Sequence, residues 1–153
     1  MDIIAGIDIG STNLKAVLYD LSGNVLASDS VPTERFNPYP DHPEWTVWQP
    51  EQIWGGCAAA MKEAVSQIDN PRDIKAVAVT GMGMDGVPVD EKGDWIYPFI
   101  SWHDPRTEPQ LQWWIDNIGP ERSFSVGGGT LWRFNTALRL LWMAEHEPGI
   151  LAH

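Results

Sequence analysis

Apolar positions in the first third of the chain come in short runs broken by small polar residues, a rhythm of strands and turns. Ile3 to Ile9 is apolar almost without a break up to Asp8, the pattern of a central strand covered on both faces. Leu14 to Tyr19 resumes strand-forming residues after Gly10-Ser11-Thr12-Asn13. That gap is too short for a helix, so the two strands must lie antiparallel. Asp20-Leu21-Ser22-Gly23-Asn24 has turn composition, and Val25 to Val31 reads as a third strand. The proline- and aromatic-rich stretch from Pro32 to Pro50 predicts an extended arm across the surface. Glu51 to Ile68 predicts a helix, with Pro50 at its first turn, Glu51 at its positive end and an apolar stripe of Ile53, Trp54, Ala58, Met61 and Val65. Asn70-Pro71 stops it, and Ile74 to Thr80 supplies a fourth strand, parallel because a helix precedes it.

Beyond the glycine-bearing loop Gly81–Gly86, Val87–Asp90 and Trp95–Ile100 predict a hairpin around Glu91-Lys92-Gly93-Asp94. Pro105–Asn117 and Thr136–His146 predict two helices joined by a loop at Gly127-Gly128-Gly129. No internal repeat is present. Three antiparallel strands, a helix and a parallel strand open a ribonuclease-H-like fold of the actin and hexokinase ATPase type. The expectation is an incomplete α/β domain, with a mixed sheet flanked by helices. Residues 1–100 would begin the core and 101–153 would form a helical part.

Composition narrows the partners. Twenty-one acidic against ten basic side chains give a net charge of −11, a field that repels polyanions and argues against nucleic acid. A nucleotide remains compatible, because backbone N–H groups and a cation neutralise phosphate locally. The single cysteine, Cys57, has no partner within the chain, which suits a reducing cytoplasm. Neither a leader pattern nor an apolar run of membrane-spanning length is present, so no membrane association is expected.

The chemistry-bearing segment is Asp8-Ile9-Gly10-Ser11-Thr12-Asn13-Leu14-Lys15. Gly10 lets backbone approach a phosphate closely. Ser11, Thr12, Asn13 and the turn's N–H groups offer donors, and Lys15 offers a point charge. Asp8, at the strand end, could hold Mg²⁺ through water, since that ion takes few carboxylates and keeps several waters. An ordinary hairpin turn uses the same residue types for conformational reasons. The Walker pattern is absent.

Gly6 to Asp20 resembles the first phosphate motif of the sugar kinase, heat-shock ATPase and actin superfamily, and also the start of ATPases that activate 2-hydroxyacyl-CoA dehydratases. The latter need cysteines for an iron–sulfur cluster, and this chain has only Cys57. Three later stretches resemble the FGGY carbohydrate kinases, of the xylulokinase and glycerol kinase type. They are Pro43-Glu44-Trp45 with Gln49-Pro50-Glu51-Gln52-Ile53-Trp54, then Ala76 to Gly86 with Val89-Asp90, and Pro98 to Thr107. Where relatives carry an acidic residue after the first tryptophan, this chain has Thr46-Val47-Trp48. Where they carry Met-His or Arg-Glu, it has Gly83-Met84.

The resemblance implies an ATP- and Mg²⁺-dependent kinase acting on a sugar or polyol, with Gly83, Met84 and Asp85 at the substrate. A sugar needs hydrogen-bonding groups and a flat apolar surface, which Asp85 and Trp102 or Trp132 could supply. Asp104 could cap the following helix, and Arg106 could pair with a carboxylate or line the cleft. The remaining tryptophans, Trp113 and Trp114 among them, read as packing residues. His103 reads as a packing or capping residue, and His146 suits a negative helix end. The family's catalytic aspartate and adenosine domain are expected beyond residue 153, leaving no catalytic residue here and an exposed sheet edge open to self-pairing. The alternatives are a non-catalytic assembly module of the same fold and the dehydratase activator.

Overall fold

Alternating side chains in the first strands give the sheet one small-residue face, and the computed structural model, which describes residues 1–152, has a helix on that face. Strands β1 (Ile3–Ile9), β2 (Asn13–Asp20) and β3 (Val25–Pro32) form an antiparallel meander. After the short β4 (Val47–Trp48) and helix α1 (Pro50–Ser66), β5 (Ile74–Gly81) returns parallel to β1. The sheet order is β3-β2-β1-β5. The backbone divides into two units. The first is Met1–Glu34 with Gln49–Gly83, and the second is Arg35–Trp48 with the chain from Met84 on.

In the first unit, Ile3, Ala5, Ala16, Leu18 and Ala27 of the sheet meet Ala60 and Ala64 of α1. Small side chains on both surfaces let the helix lie close to the strands, and each enclosed Ile or Leu contributes about 1.5–3 kcal/mol. The buried stripe of α1 is Ile53, Cys57, Ala60 and Ala64, with Met61 and Val65 at its margin. Trp54 and Ala58, expected on this stripe, point to solvent, because the Ile53–Ala60 repeat rotates the face by about one residue. The opposite face of β1 is open, contrary to the expectation of a strand covered on both sides. Ile4 and Asp8 are exposed because α1 packs on one face only. β5 is one edge of the sheet, and its Val77 and Val79 are 57% and 63% exposed, since α1 packs chiefly on β2 and β3.

In the second unit, β4 pairs antiparallel with β6 (Phe99–Ile100), and Phe36 bridges to Val47. The segment expected to be a surface arm therefore ends in two enclosed residues, Val47 and Trp48. The expected hairpin at 87–100 reduces to one bridge, Val89 to Trp95, because Phe99 and Ile100 take β4 as their partner instead. Three helices follow: α2 (Glu108–Asn117), α3 (Pro120–Gly127) and α4 (Thr136–His146). Helix α2 starts three residues later than expected, and α3 adds a third helix that runs up to the expected loop at Gly127-Gly128-Gly129. Gly119 at φ 86° precedes Pro120 at its first turn, and Gly128 closes it in a left-handed cap. Ile100, Trp142 and Met143 form the core, flanked by Trp45 and Tyr97. Among the described residues, no helix is long and apolar enough to cross a membrane.

Candidate functional site

In the first unit the β1–β2 connection is a tight turn. The Gly10 N–H donates to the Asn13 carbonyl at 3.1 Å, and Thr33 braces the turn from β3's end: its hydroxyl donates to the Gly10 carbonyl at 2.7 Å and its N–H to the Thr12 carbonyl at 2.9 Å. A Cβ on Gly10 would lie 2.8 Å from the Asn13 carbonyl oxygen, so only glycine fits this bend unchanged. Among the described residues, the N–H groups and hydroxyls of Ser11 and Thr12 make no hydrogen bond. They stand ready as donors.

Asp8 and Lys15 face each other across the β1–β2 register, with Thr80 of β5 opposite Asp8 on the other side. All three line an open hollow of about 300 Å³ on the sheet face turned away from α1. Gly10–Asn13 lies beyond its lining, at the strand ends. Free N–H donors, a lysine and an exposed carboxylate form a set that fits polyphosphate and a hydrated divalent cation. No cluster of three or more His, Cys, Asp or Glu side chains able to hold a metal occurs among the described residues.

Gly83 ends the first unit, exposed and with open space where a Cβ would be. The other expected substrate residues belong to the second unit. Asp85 is enclosed, its side chain 1% accessible. One of its oxygens accepts from Arg139 at 2.6 Å, and the other accepts from the Trp48 indole at 2.8 Å and the Trp102 N–H at 3.3 Å. Arg139 also donates to the Met84 carbonyl, which accepts from the Thr136 hydroxyl at 3.4 Å. The side chains of Met84 and Trp102 stay free, and the two residues are 38% and 36% exposed. Trp102 stacks on His103 at 3.7 Å and meets Phe134 edge-on, while Phe134 stacks on Trp132 at 5.9 Å. Together they make a continuous aromatic surface.

Asp104 and Arg106, also expected at the substrate, have no accessible side-chain surface. The guanidinium grips both carboxylate oxygens, at 2.9 and 2.8 Å, and Asp104 also accepts from the Thr46 N–H at 2.7 Å. Asp104 does not cap α2, whose N-cap is Thr107. The Thr107 hydroxyl donates to the Arg133 carbonyl instead. Arg106 lies against three rings, those of Trp45, Tyr39 and Trp142, at 4.2, 4.7 and 5.0 Å. Burial opposes its charge, but the hydrogen bonds from Arg106 to Asp104 and the Tyr39 environment outweigh that and hold it above its ordinary range. Burial, joined by the hydrogen bond to Tyr39, pushes the Tyr97 phenol well above its usual range. Burial and the cations Arg35 and Arg133 lower His103, against the pull of Asp85.

The tryptophans are less enclosed than their packing role required. Trp54, Trp95, Trp102, Trp113 and Trp132 are all exposed, and Trp114 anchors its indole on the Ser123 hydroxyl at 2.8 Å. His146 stacks on Trp142 and bonds its carbonyl, as a structural residue at the end of α4. Arg139 and Thr33 lie outside every motif of the sequence. A lone arginine inside the apolar run Ala137 to Met143 was the available signal for the first, since a charge there needs a buried partner.

Residues 3–153 match the model of the FGGY family of carbohydrate kinases, N-terminal domain. The chain is 28% identical over 147 residues to an L-fuculokinase of Haemophilus influenzae, covering 94% of the chain and 31% of that protein. It is 31% identical over 147 residues to a xylulose kinase of Klebsiella pneumoniae, covering 96% and 29%. Its fold matches ligand-bound xylulose kinase from Lactobacillus acidophilus with a TM-score of 0.89 at 18% identity, over 100% of the chain and 30% of that structure. The chain thus spans about a third of the length of these relatives.

Proposed function

The chain belongs to the FGGY family of carbohydrate kinases, and from that premise we propose that the whole protein transfers the terminal phosphate of ATP to a hydroxyl of a sugar or polyol. The observation that carries this reading is the braced turn at Gly10–Asn13, with free donors at Ser11 and Thr12 and with Asp8 and Lys15 beside it. Gly10, Ser11, Thr12, Asn13 and Lys15 would hold phosphate oxygens, and Asp8 would hold hydrated Mg²⁺. When bound, the ion would draw charge from the transferring phosphoryl group. The chain's own part is to orient the phosphates, through backbone donors that cost little reorganisation.

For the acceptor, Gly83, Met84 and Trp102 are the proposed contacts, with the aromatic surface that includes Trp132 suited to the C–H face of a sugar. Asp85, Asp104 and Arg106 would act from beneath, because their polar atoms are already bonded. Neither Asp85 nor Asp104 leaves an oxygen open to a hydroxyl, so neither is proposed as the base that takes the acceptor proton. The natural domain would begin with a core start at 1–100, followed by a helical part at 101–153. Calorimetry on the whole protein tests the reading: Mg²⁺-ATP should bind wild type, and Gly10→Val should abolish the heat. Glycerol, xylulose and L-fuculose, taken from the relatives' names, form the first acceptor panel. A whole protein that binds no nucleotide would sink the proposal.

One observation favours a second reading, a non-catalytic module that assembles with another copy: β5 offers a free edge beside Val77 and Val79. Sedimentation would reveal concentration-dependent dimers without nucleotide binding. FGGY membership replaces the dehydratase-activator alternative.

A further inference from the structure

Resting on the reading of Met84 and Trp102 as acceptor contacts, we propose that Asp85 and Arg139 form one buried strut that sets the positions of both residues, so that Asp85 acts on a sugar by positioning and not by touching it. The carboxylate receives three donors and is 1% accessible, which leaves no oxygen for a sugar hydroxyl. What it does hold is the backbone N–H of Trp102, seventeen residues further along the chain. Arg139 reaches from α4 with two nitrogens, one to Asp85 and one to the Met84 carbonyl. Both proposed contacts are therefore gripped by their backbones, and their side chains stay at the surface.

The energetics favour a positioning role over a purely stabilising one. A buried ion pair recovers through its attraction little more than the desolvation of its charges, and well-packed apolar residues often replace such pairs without loss. Leu138, Trp142 and Met143 lie beside Arg139 along α4 and are buried, so an apolar residue would suit that position once Asp85 is neutralised too, as in the double variant. The arginine adds direction: its rigid planar fork reaches two acceptors from two separate nitrogens, where a lysine offers one flexible ammonium. A shift of either loop by a fraction of a hydrogen-bond length would break the bond from Trp102, which at 3.3 Å is already the longest of the three.

The experiment is hydrogen exchange at single amides by NMR, with calorimetry for glycerol, xylulose and L-fuculose, on wild type, Asp85→Asn, Arg139→Met and the double variant. Arg139→Met should speed exchange of the Trp102 amide at least tenfold although Arg139 makes no hydrogen bond with it, and should shift the Trp48 indole N–H signal. The double variant should add little to either single one. For any acceptor that wild type binds, both single variants should weaken affinity at least tenfold, with the far-UV spectrum unchanged. Trp102 exchange at the wild-type rate in Arg139→Met overturns the strut. Unchanged acceptor affinity beside raised exchange overturns its role in binding. If wild type binds none of the three acceptors, the claim that this surface receives them falls, while the exchange data still decide the strut. Should Arg139→Met fail to fold, Arg139→Lys, which keeps the charge and loses the fork, is read by the same criteria.

Discussion

Arg106 grips Asp104, two residues before it, with Nε and one terminal nitrogen, and neither side chain has any surface in solvent. Their isolation makes the pair sensitive to the loss of either member. Asp104→Ala would leave a guanidinium enclosed among Tyr39, Trp45 and Trp142 with no counter-charge, at a cost of about 3–5 kcal/mol. Urea unfolding should register that loss, and Arg106→Lys should cost less while still destabilising, since lysine cannot fork or stack in the same way.

Two adjacent glycines in α1 should respond oppositely to the same change. Nothing lies within 4 Å of a Cβ on Gly55, so Gly55→Ala should stabilise by about 1 kcal/mol through helix propensity alone. A Cβ on Gly56 would lie 2.4 Å from a methyl of buried Leu14, so Gly56→Ala should cancel that gain or destabilise. Thermal melts of the two variants decide it.

His103 gives the stability a pH dependence of definite sign. Burial, with Arg35 and Arg133, lowers its proton affinity in the folded chain, so the unfolded chain binds more protons in the window from the ordinary imidazole value, about 6.5, downward. Stability should fall as pH drops through that window. His103→Phe, which keeps a ring for Trp102 to stack on, should flatten the slope measured by urea titration between pH 7.5 and 5.

Tyr97 should act at the other extreme. Its phenol is held above the usual range, so the folded chain keeps a proton that the unfolded chain releases once pH passes about 10. Stability should decline above that point, and Tyr97→Phe should remove the decline at some loss of the contact with Tyr39.

How far the fold could be read depended on the range of the interactions. The β1–β2 hairpin followed from a four-residue gap, and the parallel β5 followed from the helix before it, both local inferences. Helix α3 carried Gly119, Pro120 and Gly128 as start and stop signals but lacked an apolar stripe, and periodicity was the stronger criterion. Pairing of Val47–Trp48 with Phe99–Ile100 joins residues some fifty apart and leaves no trace in local pattern. For the candidate site, Asp8, Gly10 and Lys15 stood out by spacing along two adjacent strands. Asp85 stood out as a carboxylate, yet its link to Arg139 crosses fifty-four positions and needed a tertiary fold to be seen.

The bare margin of β5 also bears on handling. Its outer backbone groups and the valines at 77 and 79 are what a growing cross-β stack recruits, and β5 carries one charged side chain, Lys75, near its start. Concentrated solutions should therefore scatter light and bind amyloid dyes over days, and a gatekeeper lysine at the exposed Val79 should prolong the clear phase.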